Sequence, residues 1–309
     1  MAALISVVMP VWNGAEWLDE AIGSILAQTH AELELIVVDD GSTDASRDIA
    51  ADAAARDARV RTIALERDPG VKGTGRPANI GIAAARGAYI ARMDADDIAL
   101  PDRLERQLAF LEERRLDACG GLAEAFGALT RDFWFPETHE GVEHELVFRV
   151  AILHPTMLAR TALMRRLPYR EDVAHEDYEW QVRAAAAGAR LGNLQETVLR
   201  HRVHPGQANR RLTAEFRRDL RRHRFSHVMT LFPGTPPAEY QHLAALAEEA
   251  PIRDEGELKA AADWLLRLAE GGDAALRAYM ARRWHKACDR AGEAADSGLR
   301  LDVAGRFAA

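Results

Sequence analysis

Short runs of β-branched residues alternate with stretches whose apolar residues recur at helical spacing, and this alternation most constrains the fold. LISVVM (4–9) and LELIVV (33–38) are of strand length and apolar on both faces. Between them Leu18, Ile22, Ile25 and Leu26 share one helical face, and Ser42 and Thr43 offer caps for an alanine-rich helix reaching about Arg56. VRTIAL (60–65), a helix near Ala78–Ala85, AYIARM (88–93) and a helix opened by Pro101, with Leu104, Leu108 and Leu111 on one side, continue the order. Such β-α-β-α alternation predicts a parallel sheet covered by helices. Beyond Leu116 the signal loosens into a mixed α/β extension, with short strands within 120–136 and a helix over 176–187. From about Arg210 the chain reads as helical, with apolar stripes at Phe225, Val228, Met229 and Phe232, at Leu258, Ala262, Leu265 and Leu266, and at Leu276, Tyr279, Met280 and Trp284.

Composition narrows the function. The 309 residues, 48% hydrophobic and 28% charged, suit one large domain with an appendage or two modest domains. No apolar run reaches the ~20 residues of a spanning helix, and the N-terminus lacks the basic and small-residue signals of a leader, so the expected location is the cytoplasm. Cys119 and Cys288 are far apart, which argues against a disulfide framework or structural zinc. The net charge of -8 argues against nucleic-acid binding.

In an open α/β sheet, ligands bind beyond the carboxyl ends of the strands. The first strand delivers Pro10, Trp12 and Asn13 there, the second Asp39-Asp40-Gly41-Ser42-Thr43-Asp44, and the fourth Asp94-Ala95-Asp96-Asp97. DDGSTD alone reads as a turn with a cap. Two acidic clusters at equivalent strand ends read as a site, because gathered carboxylates repel one another unless a cation compensates, and an all-oxygen cluster suits Mg²⁺ or Mn²⁺.

VVMPVWNG, LELIVVDDGSTD, RPANIGIAAARG, ARMDADD followed by LPDRLERQ, and HEDYEW together resemble the inverting family 2 glycosyltransferases, in order and spacing, across residues 4 to about 205. The resemblance implies an α/β GT-A fold, a Rossmann-like mixed sheet carrying a C-terminal helical extension. It implies a domain over 1–209, with a nucleotide-binding half over about 1–100 and an acceptor half over about 101–209, and an extension over 210–309. It also implies transfer of a sugar from a nucleotide-sugar, UDP-linked by expectation, to an acceptor hydroxyl in surface polysaccharide or glycoconjugate synthesis. On the same basis Asp39 and Asp40 meet the base, Pro10 and Asn13 shape the adjoining wall, and Arg76 and Asn79 lie near the nucleotide. Asp96 resembles the ligand of Mn²⁺ or Mg²⁺ and Asp94 a ribose or second metal contact, with His204 a third ligand or diphosphate contact and Asp97 a turn cap. Asp177 resembles the general base, with Glu176 its orienter or an acceptor contact. Without the resemblance, Glu176 and Asp177 would read only as acids at a helix N-terminus. His154 is placed by the family near the donor or acceptor cavity, and Arg200 and Arg202 face either phosphate or solvent.

Two features compete or extend. Gly73-Thr74-Gly75-Arg76-Pro77-Ala78 fits the dinucleotide fingerprint, so a nicotinamide-dependent oxidoreductase is one alternative and a non-catalytic sugar-nucleotide binder another. Glu66–Lys72 separates those glycines from the preceding strand, which argues against the fingerprint; the same segment reads as a donor-covering loop. Between Arg210 and Arg224 stand seven arginines against Glu215 and Asp219. They read either as a peripheral contact with anionic lipid or a lipid-linked acceptor on the inner membrane face, or as a solvated helix face paired with acids. The remaining helices read as acceptor-site support or a homodimer contact.

Overall fold

Strands apolar on both faces need helices on both sides, and the computed structural model, which describes residues 3–71, 73–204, 214–247, 251–270, 274–292 and 297–308, has that arrangement. The first part runs β1 (Ile5–Val11), α1 (Leu18–Leu26), β2 (Leu33–Asp39), α2 (Ser46–Arg56), β3 (Val60–Ala64), α3 (Gly75–Ala84) and β4 (Tyr89–Arg92). Then come β5 (Ile98–Ala99), α4 (Arg103–Glu113), β6 (Ala118–Gly127), β7 (Arg131–Phe133), α5 (His139–Glu145), a 3-10 turn (His154–Thr156), β8 (Leu158–Arg160), α6 (Thr161–Arg166), α7 (Glu176–Ala186) and β9 (Leu191–Val203). Among the described residues the strands form one sheet in the order β3-β2-β1-β4-β8-β6-β9-β5, with β7 paired to β6. β1, β2, β3 and β4 are parallel, and β8 runs antiparallel to both β4 and β6.

Every residue of β1 and β2 is buried, as their mostly apolar runs require, and the two polar residues inside those runs, Ser6 and Glu34, bond to each other (2.7 Å). α1 covers them with Leu18, Ala21, Ile22 and Ile25. α3 lies so close on the other face that a Cβ at Gly81 would stand 2.5 Å from a Val8 methyl. Two expectations about helix starts are corrected. α2 begins at Ser46 without a Ser42 or Thr43 cap; Asp44 instead accepts from the Ser46 amide (3.0 Å) and hydroxyl (2.6 Å). α4 begins two residues past Pro101, at Arg103.

By its internal contacts the chain divides into two compact units, residues 1–139 with 150–220, and 140–149 with 221–309. The second unit is helical: α8 (Ala214–Leu231) enters it at Arg221, followed by α9 (Pro237–Ala247), α10 (Glu255–Ala269), α11 (Ala274–Ala291) and α12 (Ser297–Ala308). Leu258, Ala262, Leu265, Leu276, Met280 and Trp284 are buried in it, as their spacing predicts, whereas Phe225 is exposed. No helix among the described residues is long and apolar enough to cross a membrane. The basic segment before Ala214 lies outside the described residues.

Candidate active site

The ends of β1, β2 and β4 meet at one sheet edge, and the backbone accounts for Pro10 there. Ile5 donates to Glu32 on the β2 side, so by alternation residue 10 turns its nitrogen toward β4, whose pairing stops at Val8↔Arg92. A proline costs no ladder bond at that place. Asn13, at φ 51°, clasps two loops: its Oδ1 accepts from the Thr43 amide (2.8 Å), and its own amide donates to Ser42 Oγ (2.9 Å).

Asp39 and Asp40 diverge although they are neighbours. Asp39 Oδ2 accepts from Arg47 Nε and Nη2 (both 3.0 Å) and Oδ1 from the Ser42 amide (3.2 Å), so its carboxylate holds the turn to α2. Asp40 is buried, accepts from Arg67, and has Arg76 at 3.6 Å from an Oδ1 that makes no hydrogen bond. Burial raises its pKa, with Arg67 and Arg76 pulling the other way. The Arg67 guanidinium also lies 4.5 Å over the Trp12 ring, which is 53% exposed. Asn79 is turned to the backbone of residue 169: Nδ2 donates to the Tyr169 carbonyl (2.9 Å) and Oδ1 accepts from the Tyr169 amide (2.9 Å).

Beyond β4, Asp94, Asp96 and Asp97 offer carboxylate oxygens that all lie within 4.8 Å of one another. β5 pairs with β9 at Ile98↔Arg200, and this register brings the end of β9 alongside them. His204 Nε2 is 3.0 Å from Asp96 Oδ2, and His201 Nδ1 is 3.0 Å from Asp97 Oδ2. Burial pushes Asp97 up to about 6 and raises Asp96, with the Asp94 charge adding to both. Burial also acts on Asp94, but the Arg92 guanidinium bonded to it, with His154 and His201 beyond, holds its carboxyl below the usual range. Packed acids that favour protons mark a place short of positive charge. The set of oxygens with one imidazole edge fits a hard divalent cation such as Mg²⁺ or Mn²⁺.

Asp97 is not a turn cap. It is fully buried and accepts from the Arg202 amide (2.8 Å) as well as facing His201. Of the two arginines, Arg202 serves the acids, its Nε donating to the Asp96 carbonyl (2.8 Å), while Arg200 is exposed over Phe126.

Glu176 and Asp177 open α7. Asp177 is half-buried, its Oδ1 accepts from the Tyr178 amide (2.7 Å), and burial with the neighbouring Glu176 charge pushes it up to about 6. Glu176 reaches the turn before α3, where Oε1 accepts from the Thr74 amide (2.7 Å) and hydroxyl (2.6 Å). His154 Nε2 lies 2.9 Å from the Tyr169 hydroxyl, and burial with the nearby Arg92 charge holds the imidazole neutral, well below its ordinary value. Arg92, Thr74, Tyr169, Arg67 and His201 therefore join the expected residues. Arg92 carried a signal in the sequence, a lone charge inside an apolar strand run. The others carried none, since their partners lie far along the chain.

Gly73 and Thr74 form the turn into α3 and Gly75–Ala78 are its first residues, with residues 65–72 between this motif and β3, so the strand-turn-helix geometry of a dinucleotide fingerprint is absent at this place. The family model described as "Glycosyl transferase family 2" matches residues 6–173. An uncharacterized glycosyltransferase of Haemophilus influenzae is 31% identical over 221 residues, 67% of this chain and 67% of that one. Among solved structures, S. aureus TarS in complex with UDP-GlcNAc is similar in fold at TM-score 0.60 and 18% identity, covering 98% of this chain and 91% of that one. The mannosyltransferase PcManGT of Pyrobaculum calidifontis, solved with GDP-Man and Mn2+, is similar at TM-score 0.56 and 18% identity, covering 100% and 86%. These likenesses carry the GT-A fold, and the sequence matches carry the family: the chain belongs to glycosyl transferase family 2.

Proposed function

We propose that the protein is a metal-dependent, inverting glycosyltransferase that moves a sugar from a UDP-sugar to an acceptor hydroxyl. The observation that carries this reading is the meeting of Asp94, Asp96 and His204 at the sheet edge that also holds Asp40. Asp40 takes the base, beside Trp12 and Arg76, on a wall shaped by Pro10 and Asn13; Asp39 supports it by holding the turn to α2, and Asn79 acts near the nucleotide only through its bonds to residue 169. Asp96 and His204 hold Mn²⁺ or Mg²⁺, with Asp94 on the ribose or as a further ligand. When bound, the cation stabilises the negative charge of the departing diphosphate without a proton. Asp177 accepts the acceptor hydroxyl's proton as that oxygen attacks the anomeric carbon from the side opposite the diphosphate, which inverts the centre. Glu176 positions the start of α7.

The donor half spans about 1–100, the acceptor half about 101–209, and 210–309 is an extension. A glycan or lipid-linked acceptor of surface polysaccharide synthesis fits this reading, with the exposed Arg217, Arg218, Arg221 and Arg222 against anionic lipid on the inner membrane face, each contributing ~1 kcal/mol, and the last helices in acceptor support or a homodimer. Arg224 of the same stretch is buried and donates to the Phe148 carbonyl (2.9 Å), so it takes no part in such a contact.

Calorimetric titration with UDP, dTDP, GDP and NAD, each with Mn²⁺ and then with EDTA, tests the donor site. UDP should bind with Mn²⁺ and weaken at least about tenfold in EDTA or in Asp96→Asn, about 1.4 kcal/mol. Metal-independent binding would remove the cation from the reading, and preference for GDP or NAD would remove the uridine donor.

A further inference from the structure

Thr74 stands between the two acidic halves of the site, and no chemical role in the reaction accounts for it. Its amide and hydroxyl both donate to Glu176 Oε1, at 2.7 and 2.6 Å. Its hydroxyl oxygen accepts from Arg92 Nη2 at 3.2 Å, and Nη1 of the same buried guanidinium is bonded to Asp94. Arg92 is itself anchored, its amide donating to the Met157 carbonyl (2.8 Å) and its carbonyl accepting from Arg103 Nη2 (2.8 Å). A continuous chain therefore runs Asp94, Arg92, Thr74, Glu176, and ends one residue before Asp177. The residue before Thr74 fits the same purpose. Gly73 has φ +63°, and a Cβ there would lie 2.2 Å from Glu176 Oε2, so the turn is shaped to let the carboxylate reach Thr74.

We infer that Thr74 is a positioning residue, one that holds Glu176 against Arg92 and so fixes the charge beside Asp177 relative to the donor-side Asp94. The inference rests on the proposed role of Asp177. A neutral bridge that donates twice to one carboxylate oxygen and accepts from one guanidinium serves this better than a direct Arg92–Glu176 pair. It spares Arg92 for Asp94 while giving the buried Glu176 carboxyl two hydrogen-bond donors. Among the charged groups acting on Asp177 are Glu176, which raises its pKa, and Arg92, which lowers it, and Thr74 contacts both.

The test compares Thr74→Val, which keeps the shape and loses the hydroxyl, with Thr74→Ser, which keeps the hydroxyl. The first reading is the midpoint of Asp177 in a carboxyl-carbon NMR titration of the whole metal-free chain, and it needs no substrate. Thr74→Val should lower the midpoint by half a unit or more, because Glu176 no longer has its hydroxyl anchor and its charge leaves Asp177, while Thr74→Ser should leave it in place. The second reading is turnover of whichever of UDP-glucose, UDP-GlcNAc and GDP-mannose the wild type hydrolyses fastest. Thr74→Val should lose about tenfold or more in kcat with KM within threefold, and Thr74→Ser should recover it. A purely structural threonine would lower the melting temperature and leave the midpoint unmoved, and that result overturns the inference. A serine variant that behaves like valine overturns it as well. Turnover that persists in Asp177→Asn sinks the base assignment instead, and leaves the titration result to judge Thr74 alone.

Discussion

Asp177 and Glu34 show how the same side-chain chemistry gives opposite responses to pH. Burial and the adjacent Glu176 charge push Asp177 up to about 6. On the proposed reading Asp177 is the general base, which works only when deprotonated, so kcat should be level above about pH 6 and fall tenfold per unit below it. Asp177→Asn should lose roughly 10²–10⁴ in kcat with donor affinity kept; a profile level down to pH 5 would take the base role from Asp177. Glu34, 2% exposed, is also subject to burial, but bonds from Ser6 Oγ (2.7 Å), the Arg86 amide (2.7 Å), Arg61 (2.9 Å) and Arg86 Nε (2.9 Å) overcome it and bring its pKa down to about 2. A depressed carboxylate stabilises the fold above its unfolded value and loses that contribution as pH falls. Glu34→Gln should therefore cost about 3 kcal/mol at pH 7 and roughly half that at pH 3, read by urea unfolding; a cost independent of pH would refute the assignment. Neither environment was legible in the sequence. Asp177 was singled out only by its likeness to a family motif, and Glu34 was missed, because its partners Arg61 and Arg86 are brought to it only by the pairing of β2 with β3 and by the chain reversal after α3.

At the scale of elements, the parallel half was readable because β1, β2 and α1 are buried in the pattern their apolar residues declare. β9 was not. Its residues LGNLQETVLRHRV break the alternation at Gln195 and Glu196, next to where the β6 register shifts between Gly121 and Ala123, so the polar pair sits at an irregularity in the ladder. With β9 unread, the meeting of His201 and His204 with Asp97 and Asp96 could not be foreseen except through family likeness. β5 and β8 are too short to leave a periodic signal. Element placement also makes a prediction at Gly81, where a Cβ would meet Val8 at 2.5 Å and Val38 at 3.1 Å. Gly81→Val forces α3 off the sheet. The overpacking should cost about 1–3 kcal/mol or more, and the displaced N-terminus of α3 should carry Arg76 away from Asp40. Melting temperature and UDP affinity should fall together, and affinity unchanged in a destabilised variant would show that α3 does not position the donor site.

Across the whole molecule, the titrating groups divide by unit. In the second unit, burial and the neighbouring His227 bring His144 down to about 4, and burial lowers His227 too, its Nε2 lying 2.7 Å from the Glu143 carbonyl. A histidine held neutral in the fold binds its proton first in the unfolded chain, so stability is lost as pH falls from about 6.5 toward 4. For His144 alone the loss at pH 5 is about 2 kcal/mol. In the first unit the balance runs the other way. Asp97 and Asp177, each pushed up to about 6, take protons in the fold before they do in the unfolded chain, contributing about 1 kcal/mol each at pH 5. His201, which burial would lower but which its bond to Asp97 raises, adds to this gain, and neutral His154 opposes it. Glu34 does not enter, because its window lies below about 4.5. Hydrogen exchange of the metal-free protein at pH 7 and pH 5, corrected for the intrinsic rate, separates the two responses. Slow amides of α10 and α11 should open about thirtyfold more often at pH 5, while those of β1 and β2 hold or gain protection. Equal loss in both units would mean that the His144 and His227 pair does not govern the acid response of the helical unit.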